Sequence, residues 1–462
     1  MFTGTSRSTG LGGAITGLGG DISALGVNPA GIAQMGISEY SFTGGLSFTG
    51  SNTDFLGRKN KEEKASFQIN HAGLVFVPKK NFKSIKNLSF AASYNRLLNF
   101  NDRLYANGNN SSSSRTDAFA ETLTFSGADS ISAANNFPFD ASLAFLGEVI
   151  FRFPDNTYVS ILELPVYQQI TLSRSGSMND FNIGTGIAFN DYFSFGIGIG
   201  IPSITYEENY LYKETDRDNV TPDFNFWEKR DILRTEGTGI NAKMGVLFQP
   251  TRYLRMGASF ITPTRFSMRD RYITFFRSDF DQFTIDNFNR PSEGIFEYRL
   301  TTPWRLNAGL SYLPGKLGLI SVDYEMTNPS SARFNFKEND FNLQDFEREL
   351  NDVISGKYAT THSVRVGLEG RIKDHYRARL GFQYRTSAFA NQEVQDDFAK
   401  NNMFAFSGGA GYRGRNYFID VAYMHTLTDQ LLVPYTVSFA PAPTASTSFS
   451  RGVLMLTFGM KF

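Results

Sequence analysis

Two neighbouring stretches of this sequence can be satisfied only by strands with two unlike faces. HSVRVGLEGRI (362–372) sets Val364, Val366, Leu368 and Ile372 against Ser363, Arg365, Gly367, Glu369 and Arg371. YRARLGFQYRTSAF (376–389) sets Tyr376, Ala378, Leu380, Phe382 and Tyr384 against Arg377, Arg379, Gly381, Gln383 and Arg385. Alternation of period two is the strand signature. In a soluble sandwich the polar face looks at water and strands are short, whereas arginines opposite aromatics suit a polar lumen and a lipid-facing wall. No run of 18 apolar residues is present, so no transmembrane helix is available. A membrane protein without one must be a closed barrel, because only closure satisfies every backbone N–H and C=O in lipid.

The pattern recurs in INAKMGVLF (240–248) and LISVDYEM (319–326), where Ser321, Asp323 and Glu325 share one face. Short connections such as LPGK and KDHY interleave with long polar ones near 214–228, 278–292, 334–357 and 391–401, the asymmetry of outer-membrane barrels. The C-terminal GVLMLTFGMKF puts Leu454, Leu456, Phe458, Met460 and Phe462 on one face and ends on an aromatic, resembling the signal read by the barrel assembly machinery. The strands expected lie near 39–49, 65–78, 84–100, 179–189, 191–213, 229–250, 251–277, 293–313, 316–333, 358–372, 375–390, 402–412, 416–436 and 447–462. The expected fold is therefore an all-β transmembrane antiparallel barrel of 14 strands over residues 39–462, with both termini periplasmic and a long extracellular insertion at about 101–178. That insertion holds a stretch able to form another hairpin, so 16 strands is the alternative. FNLQDFERELNDVIS (341–355) has helical spacing and fits a helix inside one long loop.

Composition closes off other classes. The chain has no cysteine, which excludes disulfides, thiolate metal sites and a lipid-modified N-terminal cysteine. Its formal net charge is zero with no basic block, which argues against nucleic acid as a partner. The four histidines, His71, His362, His375 and His425, are scattered without ligand spacing, so neither a metal site, a cofactor nor an enzyme is expected; haem ligation by His or Tyr finds no support. No basic stretch followed by an apolar core leads the chain, so export requires a leader removed ahead of this numbering.

Residues 10–31, GLGGAITGLGGDISALGVNPAG, carry eight glycines in 22 residues but no G-x-G-x-x-G and no Gly-Lys-Ser/Thr, so they are not a phosphate cradle. Glycines let a chain turn tightly and bring backbone against backbone, and the interspersed Ile15, Leu18, Ile22, Leu25 and Val27 are too apolar for a solvated linker. Gly12, Gly13, Ala14, Leu18, Asp21, Ser23, Ala24, Asn28, Pro29, Ala30 and Gly31 match G-G-A-x-x-x-L-x-x-D-x-S-A-x-x-x-N-P-A-G just before the first strand. This resembles the hatch of the FadL/TodX family of outer-membrane transporters for long-chain fatty acids and other hydrophobic compounds, the nearest variant being a group in Bacteroidota often labelled hemin-receptor-like. FNIGTGIAFNDYFSFGIGIGI (181–201) and IDVAYMHT (419–426) are similar to further parts of the family.

The resemblance implies a hatch at 1–38 that plugs the lumen, with Asp21, Asn28, Pro29, Ala30 and Gly31 as its gating residues. It implies passive uptake of hydrophobic compounds across the outer membrane of a Gram-negative bacterium, with a hydrophobic or lipid ligand and outer-membrane lipid as partners. No large energy-coupling plug precedes the first strand, so transport is expected to be diffusive. The rival is a non-transporting accessory barrel, as in the PorV-type partner of a secretion translocon, which would bind accessory proteins. The lumen charges Asp323, Glu325, Arg365, Glu369, Arg371, Arg377, Arg379 and Arg385 either greet a carboxylate ligand or form a structural ion-pair network.

In NLSFAASYNRLLNF (87–100) the lipid-facing row Leu88, Phe90, Ala92, Tyr94 would continue with Arg96, at a cost of roughly 2 to 4 kcal/mol at mid-bilayer. A bulge or kink near Asn95 that turns Arg96 toward the lumen is expected. In the family the third strand carries an inward kink that opens a lateral portal beside a glycine; here Asn95 and Arg96 occupy the matching stretch.

Overall fold

The computed structural model describes residues 4–79, 85–288, 290–315, 317–336, 341–390 and 402–462. Its wall is one antiparallel sheet of 14 strands closed on itself. In chain order these are β1 (Glu39–Phe55), β2 (Arg58–Phe76), β3 (Asn87–Asn99, resuming as Asp102–Asn110), β4 (Val166–Ala188), β5 (Phe193–Thr215), β6 (Phe224–Thr251), β7 (Leu254–Ile261 and Arg265–Phe280), β8 (Ser292–Thr301 and Arg305–Tyr312), β9 (Gly318–Thr327 and Arg333–Phe336), β10 (Thr361–Ile372), β11 (Tyr376–Arg385), β12 (Met403–Arg413), β13 (Tyr417–Leu432) and β14 (Ala445–Lys461). Closure runs the full length of β1, from Glu39 opposite Lys461 to Phe55 opposite Ala445.

Alternation fixes which way each side chain points. On β14 and just past it, Leu454, Leu456, Phe458, Met460 and Phe462 are all 41–57% exposed. On β5, Phe193, Phe195, Ile197, Ile199 and Ile201 are exposed while Ser194, Gly196, Gly198 and Gly200 are buried. An exposed apolar belt this continuous is stable only in lipid. Above the belt the outward residues become charged: on β7, Met256, Ala258 and Phe260 give way to Arg265, Ser267, Arg269 and Arg271. Three adjacent strands break at that one level, at Pro263, Pro303 and Pro329, because proline cannot donate to the ladder.

The stretch 101–178 is less of an insertion than its polarity implied. Residues 102–110 pair with 166–174, so both flanks belong to wall strands β3 and β4, and the count stays at 14 rather than 16. β1 and β2 likewise run on through the charged stretch 58–64, where the hairpin has left the membrane and lost its apolar alternation. The loop read at 391–401 lies outside the described residues.

The remaining 111–165 segment folds over the extracellular mouth. Helix α1 (Arg115–Ser126) starts with a capping box between Ser114 and Asp117, ends at Gly127 (φ 63°), and is followed by α2 (Ser130–Asn136) and α3 (Ala141–Leu146). These bury Phe119, Leu123 and Leu143 against Trp227, Phe276 and Tyr212 from the strand extensions. The buried Glu214 carboxylate accepts from Ser114 Oγ, the Arg115 amide, Gln168 Nε2, Tyr212 OH and Trp227 Nε1, tying cap to wall. A further helix, α4 (Phe341–Lys357), covers the free edge of upper β9: Asn351 exchanges two bonds with the Phe334 backbone and Glu347 accepts from the Phe336 amide.

Candidate functional site

Residues 4–35 sit inside the barrel at its periplasmic end, every one buried except the half-buried Arg7, Gly20 and Gln34. A five-residue helix (Ser6–Gly10) leads into two 3₁₀ turns, Ile22–Gly26 and Pro29–Gln34. Each turn is started by a polar side chain that the apolar glycine-rich segment would otherwise have no use for. Asp21 accepts from the Ser23 amide at 2.9 Å and from Thr5 Oγ1 at 2.9 Å. Asn28 accepts from the Ala30 amide at 3.1 Å and donates to the carbonyls of Thr16 (2.8 Å) and of Val246 in β6 (3.2 Å), so one side chain caps, folds and docks the segment. Pro29 takes the first position of its turn, where a missing N–H costs nothing.

Glycine serves this packing from both sides. In the hatch, Gly12 and Gly19 take φ of +63° and +62°, which side-chain-bearing residues rarely adopt. In the wall, Gly196, Gly245, Gly257, Gly309, Gly367 and Gly381, on six different strands, form the seat. A Cβ on Gly309 would lie 2.5 Å from the Gly17 nitrogen, and one on Gly367 would lie 2.6 Å from the Leu11 carbonyl oxygen. Bare wall backbone is what lets the hatch lie flush.

Charges lock the seat. Arg7 donates to the Gly20 carbonyl at 2.8 Å and reaches Glu369 at 3.4 Å. Glu369 is also paired with Arg379 at 2.6 Å, and Arg379 with Asp420 at 2.7 Å, to which Arg413 adds a contact at 2.8 Å. Arg365 pairs with Glu325 at 2.7 Å, and Asp323 accepts from the Thr16 amide at 2.6 Å. Lys243 Nζ, buried, meets Asp180, Asn182 and the Gly26 carbonyl. Of the sequence-derived charge set, Asp323, Glu325, Arg365, Glu369 and Arg379 are brought into this machinery. Arg371 and Arg377 stand opposite each other near the periplasmic rim, and Arg385 near the extracellular end of β11; among the described residues none of the three has an ion-pair partner. Arg7, Lys243, Asp180 and Asp420 were not found from sequence, because each looks like one isolated charge until the barrel closes.

Above the hatch the lumen turns apolar along one cross-strand row. Leu98, Met178, Ile204, Gly237, Met268, Tyr298 and Phe336 are consecutive register partners from β3 to β9. Met178, Ile204, Met268, Tyr298 and Phe336 pack as one cluster with Phe266 and Leu300. Near its β9 end lies a cavity of about 430 Å³, lined by Phe139, Tyr272, Phe296, Tyr298, Phe346 and Leu350 among others.

At its other end the wall parts. β2 pairs with β3 only from Phe76–Phe90 to His71–Asn95, and beyond that its backbone ladder runs with β1 alone. An extra residue, Leu97, bulges from β3 between Arg96 and Leu98. Past Asn99 the strand swings inside β1 and β2, where the Arg103 carbonyl accepts from inward-facing Ser51 and Asn107 donates to Asn60. Asn95 itself bonds His71 Nδ1 at 2.8 Å. The bulge falls one residue past Arg96 and does not turn it inward: Arg96 stays opposite Asn179, on the face of Tyr94, and is half-buried. The expected inward turn of Arg96 is thus corrected, because the extra residue is inserted after it.

A closed 14-stranded barrel with an apolar belt, plugged by its own N-terminal segment, is an outer-membrane architecture of the Gram-negative cell. Among solved structures the fold is similar to a FadL homologue of Pseudomonas aeruginosa, at 12% identity and a TM-score of 0.61 over 100% of this chain and 98% of that one. It is also similar to the toluene transporter TodX of Pseudomonas putida (10% identity, TM-score 0.56, 99% and 98% covered) and to the monoaromatic hydrocarbon channel CymD (12%, 0.53, 99% and 97%). The likeness is one of fold and singles out no subgroup. No known family profile and no curated protein matches the chain.

Proposed function

We propose that this barrel admits hydrophobic compounds, long-chain fatty acids among them, by diffusion, and that the N-terminal hatch gates the periplasmic end. The observation that carries the reading is the apolar row: it begins at an aromatic cavity on the extracellular side and ends at Leu98, beside the place where β2 and β3 separate. The one buried carboxylate among the residues lining that cavity, Asp270, accepts from Tyr272 OH, and the ion pairs that hold the hatch lie below the row. Release would be lateral, through the parted wall, or downward once the hatch moves. The P. putida and CymD proteins are by name a toluene transporter and a hydrocarbon channel, and the same fold lends itself to the same work.

The test is mass spectrometry of compounds extracted from purified protein, paired with uptake of a hydrophobic dye into proteoliposomes. Bound lipid or fatty acid and hatch-dependent flux are expected. No extracted ligand, no flux and constant copurification of one partner protein would replace this reading with that of an accessory barrel.

A further inference from the structure

Just above the lipid belt, β7, β8 and β9 present an unusual set of outward arginines. The top of the belt there is aromatic: Phe260 and Trp304 lie 6.2 Å apart, with Tyr324 of β9 lower in the wall, opposite Ala308, and such rings mark the membrane–water interface. The next outward residues after the proline breaks are Arg265 on β7, Thr301 on β8 and Arg333 on β9, with Arg299 one outward step beyond Thr301, and all three arginines are exposed. Register places Arg265 and Arg333 on either side of Thr301, two strand spacings or about 10 Å apart, with Arg299 the next residue of that face along β8.

Their neighbours further from the membrane are neutralised. Arg271 pairs with Glu293 at 3.1 Å, Arg234 with Glu207 at 3.0 Å, and Arg269 with Glu297 at 4.0 Å. Among the described residues Arg265, Arg299 and Arg333 meet no carboxylate; Arg333 donates only to the carbonyls of Ser330 and Ala332. Among the described residues, carboxylates are thus supplied further from the membrane and withheld at the arginines that meet the lipid head groups. This end carries the long connections, so the facing leaflet is the outer one.

We propose that Arg265, Arg299 and Arg333 form a binding site for the phosphorylated sugar head group of an outer-leaflet glycolipid, whose acyl chains would lie on the apolar faces of β7 to β9 below. Guanidinium groups suit phosphate because their fixed donors match its oxygens, and the aromatic row beneath sets the depth of the head group.

Detergent-solubilised full-length protein is titrated with bisphosphorylated lipid A and with the same lipid after dephosphorylation, and binding is read by native mass spectrometry. The phosphorylated form is expected to bind more tightly. Each interfacial arginine is worth roughly fivefold, so R265A/R299A/R333A should lose about a hundredfold, R265K/R299K/R333K should fall between that and wild type because it keeps charge without the guanidinium fork, and the paired-row variant R269A/R271A should keep most of the affinity. Heat-modifiable migration of each variant checks that the barrel has folded. Equal binding of the two lipid forms, or a triple alanine variant that binds as wild type, overturns the site; displacement of the lipid by millimolar inorganic phosphate would show a free-anion site instead.

Discussion

Arg7→Met is the sharpest test of the hatch. The side chain is 18% exposed and makes two contacts, to the Gly20 carbonyl at 2.8 Å and to Glu369 at 3.4 Å. Methionine keeps most of the packing and removes both. Stripping one partner from a buried ion pair ordinarily leaves an uncompensated charge at a cost of about 3 to 5 kcal/mol. Here Glu369 retains Arg379 at 2.6 Å, so that penalty is largely avoided. What remains is the loss of charge-assisted bonds within the hatch, about 2 kcal/mol, or roughly a 30-fold rise in the population of hatch-open molecules. Hydrogen exchange on protein in detergent should show that rise as faster exchange across residues 5–27, with amides of β10 and β14 unmoved, because local opening is reported segment by segment. Dye flux into proteoliposomes should increase in parallel. Unchanged protection of the hatch, or equal acceleration of hatch and wall, would refute the idea that this arginine holds the hatch independently of the barrel.

Other outcomes follow from the same geometry. Asn28→Ala removes a cap and two carbonyl bonds at once and should destabilise the hatch by about 1 to 2 kcal/mol, seen as faster exchange at 24–34 and altered dye uptake. Gly237→Leu places a side chain against Met268 in the apolar row, so dye uptake should fall while heat-modifiable migration stays normal. Burial pushes the Glu214 carboxyl up from 4.5, and its hydrogen bonds draw it part of the way back. A raised folded value means the folded cap holds a proton that the unfolded one has released, so cap stability should fall as pH rises above about 4.5. Exchange at 115–126 should quicken over that range beyond the intrinsic pH effect, and Glu214→Gln should abolish the excess.

The barrel is legible in the amino-acid order alone. Period-two alternation is a local property, legible wherever a strand has lipid on one side, and it located all 14 wall strands and the outward row of β14 without reference to any partner. It failed where that condition failed: 58–64 and 102–110 lie above the bilayer or inside the lumen, so neither shows the contrast between faces that marks a strand. The hatch was recognisable because its glycines and Asn-Pro-Ala-Gly sit in one short stretch. Its seat was not, since Gly196, Gly245, Gly257, Gly309, Gly367 and Gly381 are ordinary strand glycines until closure brings them onto one ring. The same holds for Arg7, Glu369, Arg379 and Asp420, an ion-pair chain whose members are scattered along the sequence, and for the apolar row, to which each strand from β3 to β9 contributes one residue. Leu97 shows the limit most plainly. A bulge is a mismatch between two strands, and the register that defines it exists only when both are in place.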